Sequence, residues 1–359
     1  MLKKIDLYII RKFLFTFFLS IVLIMIITVV FDITEKLEDF VEKQATVKSI
    51  IFDYYIYFIP YFANMFSPLF VFISVVFFTS RMAYNNEFIA MLSAGISFKR
   101  LMWPYFLAAF ILTSLSFYLG NFVIPKANLH RLEFEDRYVH NSFVYKDHNV
   151  YKQIRPGIYM YFEAYSASTN TAYKFSMERF RNDSLVYKLT SSFMRWDSTL
   201  NKWSVYNYLE RHFYGIKEKL QTGQRKDTSL VFTPDDFHKR ENIVEAMTLP
   251  EINNYIQNLI MQGDPKVEKV KAFKHQRMAM PFSTFILTLI GVSLSSRKVR
   301  GGSGLHVGIG IALSFTYIFL MQIASNIALG TGMNVILGVW IPNIIFSFIA
   351  IYLYRKAPK

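Results

Sequence analysis

F-L-F-T-F-F-L-S-I-V-L-I-M-I-I-T-V-V-F, residues 13–31, carries no charge, and its reading decides the fold. At 1.5 Å per residue such a run covers a hydrocarbon core of roughly 30 Å. Lipid offers the backbone no hydrogen bonds, so the run must be a helix that satisfies its own. Five further runs have the same character: Tyr54–Ser80, Leu101–Ile124, Met278–Ser296, Leu305–Leu329 and Met333–Tyr354. Three runs precede a long polar block and three follow it. The expected fold is an α-helical polytopic membrane protein, six transmembrane helices arranged 3+3 about an inserted domain.

Composition agrees. Hydrophobic residues make up 53% of the chain and charged residues 18%, with a mean hydropathy of +0.24, which excludes a disordered chain. The net charge of +14 is accounted for by basic residues flanking the apolar runs, and it gives no reason to expect nucleic acid as a partner. There is no cysteine, which excludes disulfides, thiolate catalysis and cysteine-ligated metals. The basic start, Lys3, Lys4, Arg11 and Lys12, resembles a signal sequence. The apolar run is too long for one and no small-residue cleavage site follows, so an uncleaved first helix is expected.

The same charges set the topology. Lys3, Lys4, Arg11 and Lys12 place the N-terminus in the cytoplasm. The acid-rich loop 32–53 then lies outside, Arg81, Lys99 and Arg100 inside, and the polar block outside. Arg297, Lys298 and Arg300 return inside, the Gly330-Thr331-Gly332 turn lies outside, and Arg355, Lys356 and Lys359 end inside. The cluster Lys266, Lys269, Lys271, Lys274 and Arg277 falls on the outer side. It belongs to a long translocated segment, where the rule has little weight.

Within the polar block the pattern alternates with period two. Ile158-Tyr159-Met160-Tyr161-Phe162 follows the turn signal Arg155-Pro156-Gly157. Ala172–Met177 ends at Asn182-Asp183, and Lys202–Tyr208 follows Asp197–Asn201. Short strands separated by such turns predict an all-β sandwich or β-jellyroll. Thr248-Leu249-Pro250-Glu251 then has capping-box spacing. Ile252, Tyr255, Ile256, Leu259 and Ile260 form one apolar face of an amphipathic helix, which packs under the β domain or lies on the membrane surface. The boundaries read from this are 1–124 for helices one to three, with a cytoplasmic helix at about 81–97, 125–265 for the β domain with its helix, and 266–359 for helices four to six.

Enzymatic signals are absent from the sequence. There is no phosphate-binding loop; Gly301-Gly302-Ser303-Gly304 lacks the lysine and reads as a connector. The seven histidines show no metal-ligand spacing, and no nucleophile elbow occurs. Of the titratable groups only His306 lies inside an apolar run, which disfavours a proton- or ion-coupled carrier.

The segment Arg81–Arg100 is the most specific. Phe88, Met91 and Leu92 fall at i, i+3 and i+4, giving a short helix with one apolar face that Gly95 ends. Glu87 stands beside that face. Two readings stand side by side: docking into a groove of a soluble protein, with the acid meeting an arginine, or a helix lying in the lipid interface.

Asn85-Asn86-Glu87-Phe88-Ile89-Ala90-Met91-Leu92-Ser93-Ala94-Gly95 resembles the coupling-helix signature of the LptF/LptG permease family of the lipopolysaccharide-export ABC transporter. Ile5–Arg11, Glu245–Ile252, His275–Pro281 and Trp340–Asn343 are also similar to that family, in order along the chain. The resemblance implies a permease without its own ATPase site, in the cell inner membrane. Its partners would be a second LptF/LptG-like permease, an LptB-like ATPase dimer that holds the ATP and magnesium, and LptC- and LptA-like periplasmic proteins. No cofactor would bind this chain. Glu87, Phe88, Met91, Leu92 and Gly95 would carry ATPase coupling.

Lipopolysaccharide would enter between helix one of one permease and helix five of the other. Leu14, Phe17, Phe18, Leu23 and Phe319 would line its path toward the periplasmic β domain. Lys36, Lys43, Lys266, Lys271, Lys274 and Arg277 are candidates for its phosphates, against the alternative that the cluster before helix four is a solvated helix face. Some family members carry lysines at the outer end of helix one; here that end is acid-rich, with only Lys36, Lys43 and Lys48. A membrane-anchored scaffold or receptor, or a permease for another lipid, are the alternative functions.

Overall fold

The computed structural model describes residues 3–139, 148–230, 233–234, 241–296, 303–331 and 333–357. Arg297, Lys298, Arg300, Gly301, Gly302, Gly332 and Lys359 lie outside these residues, and so do the side chains of Thr331 and His306. The chain divides into two compact units, one of residues 1–134, 245–249 and 268–359, the other of residues 135–244 and 250–267.

Among the described residues, the first unit holds six helices long and apolar enough to cross a membrane. They are α1 (Lys4–Glu42), α2 (Val47–Tyr84), α4 (Phe98–Tyr138), α6 (Val267–Ser295), α7 (Ser303–Thr331) and α8 (Val335–Lys356), with the short α3 (Glu87–Ser93) between α2 and α4. Helix α1 has 39 residues, about 58 Å at the standard rise, so its polar end runs past any hydrocarbon core. Helix α4 likewise continues beyond Ile124 to Tyr138, through a π-helical turn at Leu119–Val123.

Two apolar cores hold this unit together. Ile9, Phe13 and Phe17 of α1 meet Val71, Val75 and Phe78 of α2 and Leu101, Tyr105 and Ala108 of α4 in the first. Phe72 and Val76 of α2 join Leu287 and Ile290 of α6, Tyr317 of α7 and Phe346 of α8 in the second. Since lipid gives helices no hydrophobic reason to associate, close packing and buried hydrogen bonds must hold them. Tyr317 Oη donates to Asn343 Oδ1 at 2.8 Å, and Asn343 Nδ2 donates to the Ala279 carbonyl at 3.0 Å, tying α6, α7 and α8. Ser116 Oγ donates to Asn64 Oδ1 at 2.7 Å, tying α4 to α2.

Among the described residues the second unit contains one antiparallel sheet of eight strands. These are β1 (Val150–Arg155), β2 (Ile158–Phe162), β3 (Ala164–Ser166), β4 (Thr171–Tyr173), β5 (Ser176–Arg181), β6 (Ser184–Asp197), β7 (Lys202–Tyr214) and β8 (Lys217–Thr228). Strands β2 and β3 form one arm of a hairpin and β4 and β5 the other, in a single register. Every arm pairs with its neighbours in sequence, so the expected inserted β domain has the connectivity of an up-and-down meander. No Greek-key crossing occurs among the described residues. Gly157, at φ +72, makes the first turn; its carbonyl accepts from Phe180 N at 2.7 Å, and a side chain there would strike the Phe180 carbonyl.

Val150, Phe162, Phe175, Leu189, Met194 and Trp203 fill the inner face. The amphipathic helix is α5 (Leu249–Gln262), and it buries Ile252, Ile256 and Leu259. Just beyond its end Asp264 pairs with Lys152 of β1 at 3.1 Å. That pairing supports packing within this unit over a position on the membrane surface.

Candidate functional site

Helix α3 is too short to be stable alone, and its form comes from its ends and its packing. Asn86 adopts φ +61 to start it, and Glu87 stands in the first turn, where the helix dipole favours an acid. Gly95, at φ +80, closes it: Gly95 N donates to the Leu92 carbonyl at 3.0 Å and Ile96 N to the Met91 carbonyl at 3.2 Å, the paired bonds of a Schellman end. Ser97 Oγ then accepts from Arg100 N at 3.3 Å and starts α4. The segment is a stiff crossbar with defined ends.

Its apolar face turns inward. Phe88 is 0% exposed and its ring lies 6.1 Å from that of Phe98, with Met91 and Leu92 packed on the same core. The docking face expected from Phe88, Met91 and Leu92 is thus used to seat α3 on its own helices, because burial there removes more apolar area from water than a small exposed helix face. The opposite face, Asn86, Ile89, Ala90, Ser93 and Ala94, is exposed, with Ile89 its one large apolar side chain at 42%. Glu87 lies on the flank of that face. The pattern that fixed Phe88 as apolar also fixed Ile89, but periodicity alone does not say which face is covered.

The lysine candidates separate. Lys36 is enclosed: it pairs with Asp32 at 2.8 Å, donates to Tyr54 Oη and stands 4.8 Å over the Tyr54 ring. Tyr55 Oη donates to the same Asp32 at 2.9 Å. A lysine so held is spoken for by its own chain, which explains how an acid-rich helix end keeps one. Lys43 caps the end of α1 and is half-buried. Lys266 N donates to Asp264 Oδ1 at 2.9 Å. Lys271 pairs with Glu268 at 2.7 Å, and Lys274 is half-buried.

Arg277 is the centre of a constellation that sequence reasoning did not assemble. Its guanidinium donates to the Met247 carbonyl at 2.8 Å and the Glu245 carbonyl at 3.3 Å. Arg131, buried on α4, pairs with the Glu245 carboxylate at 3.0 Å and takes Asn128 Oδ1 at 3.1 Å. Beside them opens a cavity of about 320 Å³ lined by Tyr61, Asn64, Asn128, Gln276, Arg277 and Gln322, among others. Met65, Ile124, Phe273 and Met280 also line it, so it is a mixed recess of mainly apolar wall with a few polar groups.

Among the apolar candidates, Phe17 is buried and Leu14 packs on the core of α1, α2 and α4. Phe18, Leu23 and Phe319 are exposed. Their helices are unusual as a whole: only 17% of the most apolar window of α1 and 28% of that of α7 is buried, against 56% for α2 and 61% for α6. Two helices thus leave long apolar surfaces exposed among the described residues.

Residues 7–356 match the family described as "Lipopolysaccharide export system permease LptF/LptG". No curated protein matches the chain.

Proposed function

Because the chain belongs to the LptF/LptG family of lipopolysaccharide-export permeases, we propose that it is the permease subunit of an ATP-driven exporter that lifts lipopolysaccharide out of the inner membrane. A second permease of the same family would complete the membrane part, an LptB-like ATPase dimer would drive it from the cytoplasm, and LptC- and LptA-like proteins would receive the lipid in the periplasm. In this reading α3 faces the cytoplasm and the β domain the periplasm.

The observation that carries the proposal is the crossbar α3. A rigid helix seated by Phe88, with Ile89 exposed and a carboxylate on its flank, is built to receive a push from a soluble partner and pass it to α1, α2 and α4. The sparse burial of α1 and α7 supports the rest. The exposed apolar faces of these helices suit contact with acyl chains and with a second permease, which supports Phe18, Leu23 and Phe319 as residues on the lipid's path. Arg277, on the wall of the cavity, and Lys274, three residues before it, are the cations this reading assigns to phosphate groups.

The test is Glu87→Ala in liposomes that contain both permeases, the ATPase and lipopolysaccharide. Folding and ATP hydrolysis persist while extraction of the lipid stops. Normal extraction by that variant refutes the role of Glu87, and absence of an ATPase from the purified complex refutes the transporter reading as a whole.

A further inference from the structure

Glu87 does not face water alone. Tyr8 Oη, on α1, donates to Glu87 Oε2 at 2.8 Å, and Lys12 Nζ stands 3.8 Å from the same oxygen and 4.4 Å above the Tyr8 ring. Tyr8 and Lys12 are one helical turn apart and share a face of α1. The other carboxylate oxygen, Oε1, receives only a long bond of 3.4 Å from Asn85 Nδ2 among the described residues.

A second link joins the same end of α1 to α4. Arg100 donates through Nη1 and Nη2 to both oxygens of the buried Asp6, at 2.8 and 2.6 Å. The two links differ in strength. A two-point bond between guanidinium and a buried carboxylate is among the strongest polar contacts a protein makes. Tyr8, Lys12 and Glu87 are each about one-third exposed or more, so water screens their attraction on both sides, whereas in the clamp Arg100 reaches water but Asp6 does not. One link is a hinge pin and the other is a tether that a competitor can displace.

We propose that Tyr8 and Lys12 are positioning residues that hold Glu87 in the free permease and surrender it to a cation of the docking ATPase, so that docking frees α1 to pivot about the Asp6–Arg100 clamp. This rests on the reading that Glu87 meets the ATPase. The exchange needs no unpaired intermediate. An arriving guanidinium bonds Oε1 first, because a carboxylate offers about four acceptor sites, and then displaces Tyr8 at Oε2. The most apolar stretch of α1 is the least buried of the six spans, so its outer part can swing while Ile9 and Phe13 stay packed near the clamp.

The experiment compares wild type with the double variant Tyr8→Phe/Lys12→Met, each full-length and assembled with its partner permease in nanodiscs. The chain has no cysteine, so with cysteine-free partners spin labels at Leu7→Cys on α1 and Ala90→Cys on α3 report one distance; both positions are exposed. In wild type the distance distribution is narrow without ATPase and broadens when ATPase binds. In the double variant it is broad in both states. The variant also binds the ATPase about threefold more tightly, because the competing intramolecular state is gone, and Lys12→Arg with Tyr8 intact returns both readouts toward wild type. In a Glu87→Gln background the double variant changes neither readout further.

Unaltered distances and affinity in the double variant overturn the handover while leaving the coupling role of Glu87 in place. Failure of the wild-type permease to bind ATPase overturns the reading on which the handover rests.

Discussion

Arg131 and Glu245 are 114 positions apart in sequence and form an ion pair of 3.0 Å inside the helical unit, with Arg131 almost fully buried. The pair pins residues 245–247, the segment that follows the sheet in sequence, against α4, and Arg277 of α6 holds the same segment by its carbonyls. Glu245→Ala strands a buried cation and costs about 3 kcal/mol of stability. Thermal unfolding of the detergent-purified protein measures it. Glu245→Met combined with Arg131→Met removes both charges and recovers most of the loss.

Gly338 of α8 is where α8 crosses α7. A Cβ there would collide with the Ala328 methyl and lie 3.2 Å from the Ala324 carbonyl oxygen. Gly338→Val therefore forces the helices apart and destabilises by about 2 kcal/mol, whereas Gly308→Ala on α7, where a Cβ meets nothing within 4 Å, has no such effect. Thermal unfolding of the two variants separates them.

Lys36, enclosed by Asp32 and Tyr54, behaves as a structural residue. Lys36→Met leaves Asp32 partly buried with only tyrosine donors and costs about 2 kcal/mol in stability. Lys274→Met, at a half-buried position, changes lipid extraction without lowering the unfolding temperature. Equal thermal stability of Lys36→Met and wild type contradicts the first expectation.

The β domain loses stability in acid. Burial raises the Glu210 carboxyl, but hydrogen bonds from Lys226 and Tyr187, each 2.5 Å, outweigh it and leave it below its ordinary range. The Ser204 and Arg225 bonds lower Asp227, and the Thr199 bond lowers Asp197. Groups depressed in the folded state stabilise it fully above their unfolded values, near pH 4, and that contribution disappears as pH falls through the folded values. The urea midpoint, read from the fluorescence of Trp196 and Trp203 in a Trp103→Phe/Trp340→Phe background, is flat from pH 7 to 5 and declines below about 4. Glu210→Gln reduces that decline.

The sequence by itself determined the six spans, because a bilayer permits a long uncharged run one backbone solution, and it determined the strands at 158–162 and 202–208, whose alternation matches a half-buried pleat. It also fixed the C-terminal end of α3, since Gly95 is the residue a left-handed helix end prefers, but not its start at Glu87, inside the stretch of about 81–97 read as one helix. Tertiary structure decided what these elements face. Period 3.6 groups Phe88 with Met91 and Leu92 but is silent on whether that face meets a partner or the chain's own core. A count of charges finds Lys36 without finding Asp32 and Tyr54 around it, and no local pattern joins Arg131 to Glu245. Those outcomes depend on which surfaces the folded chain brings within hydrogen-bond reach, a matter of three-dimensional proximity that spacing along the backbone does not encode.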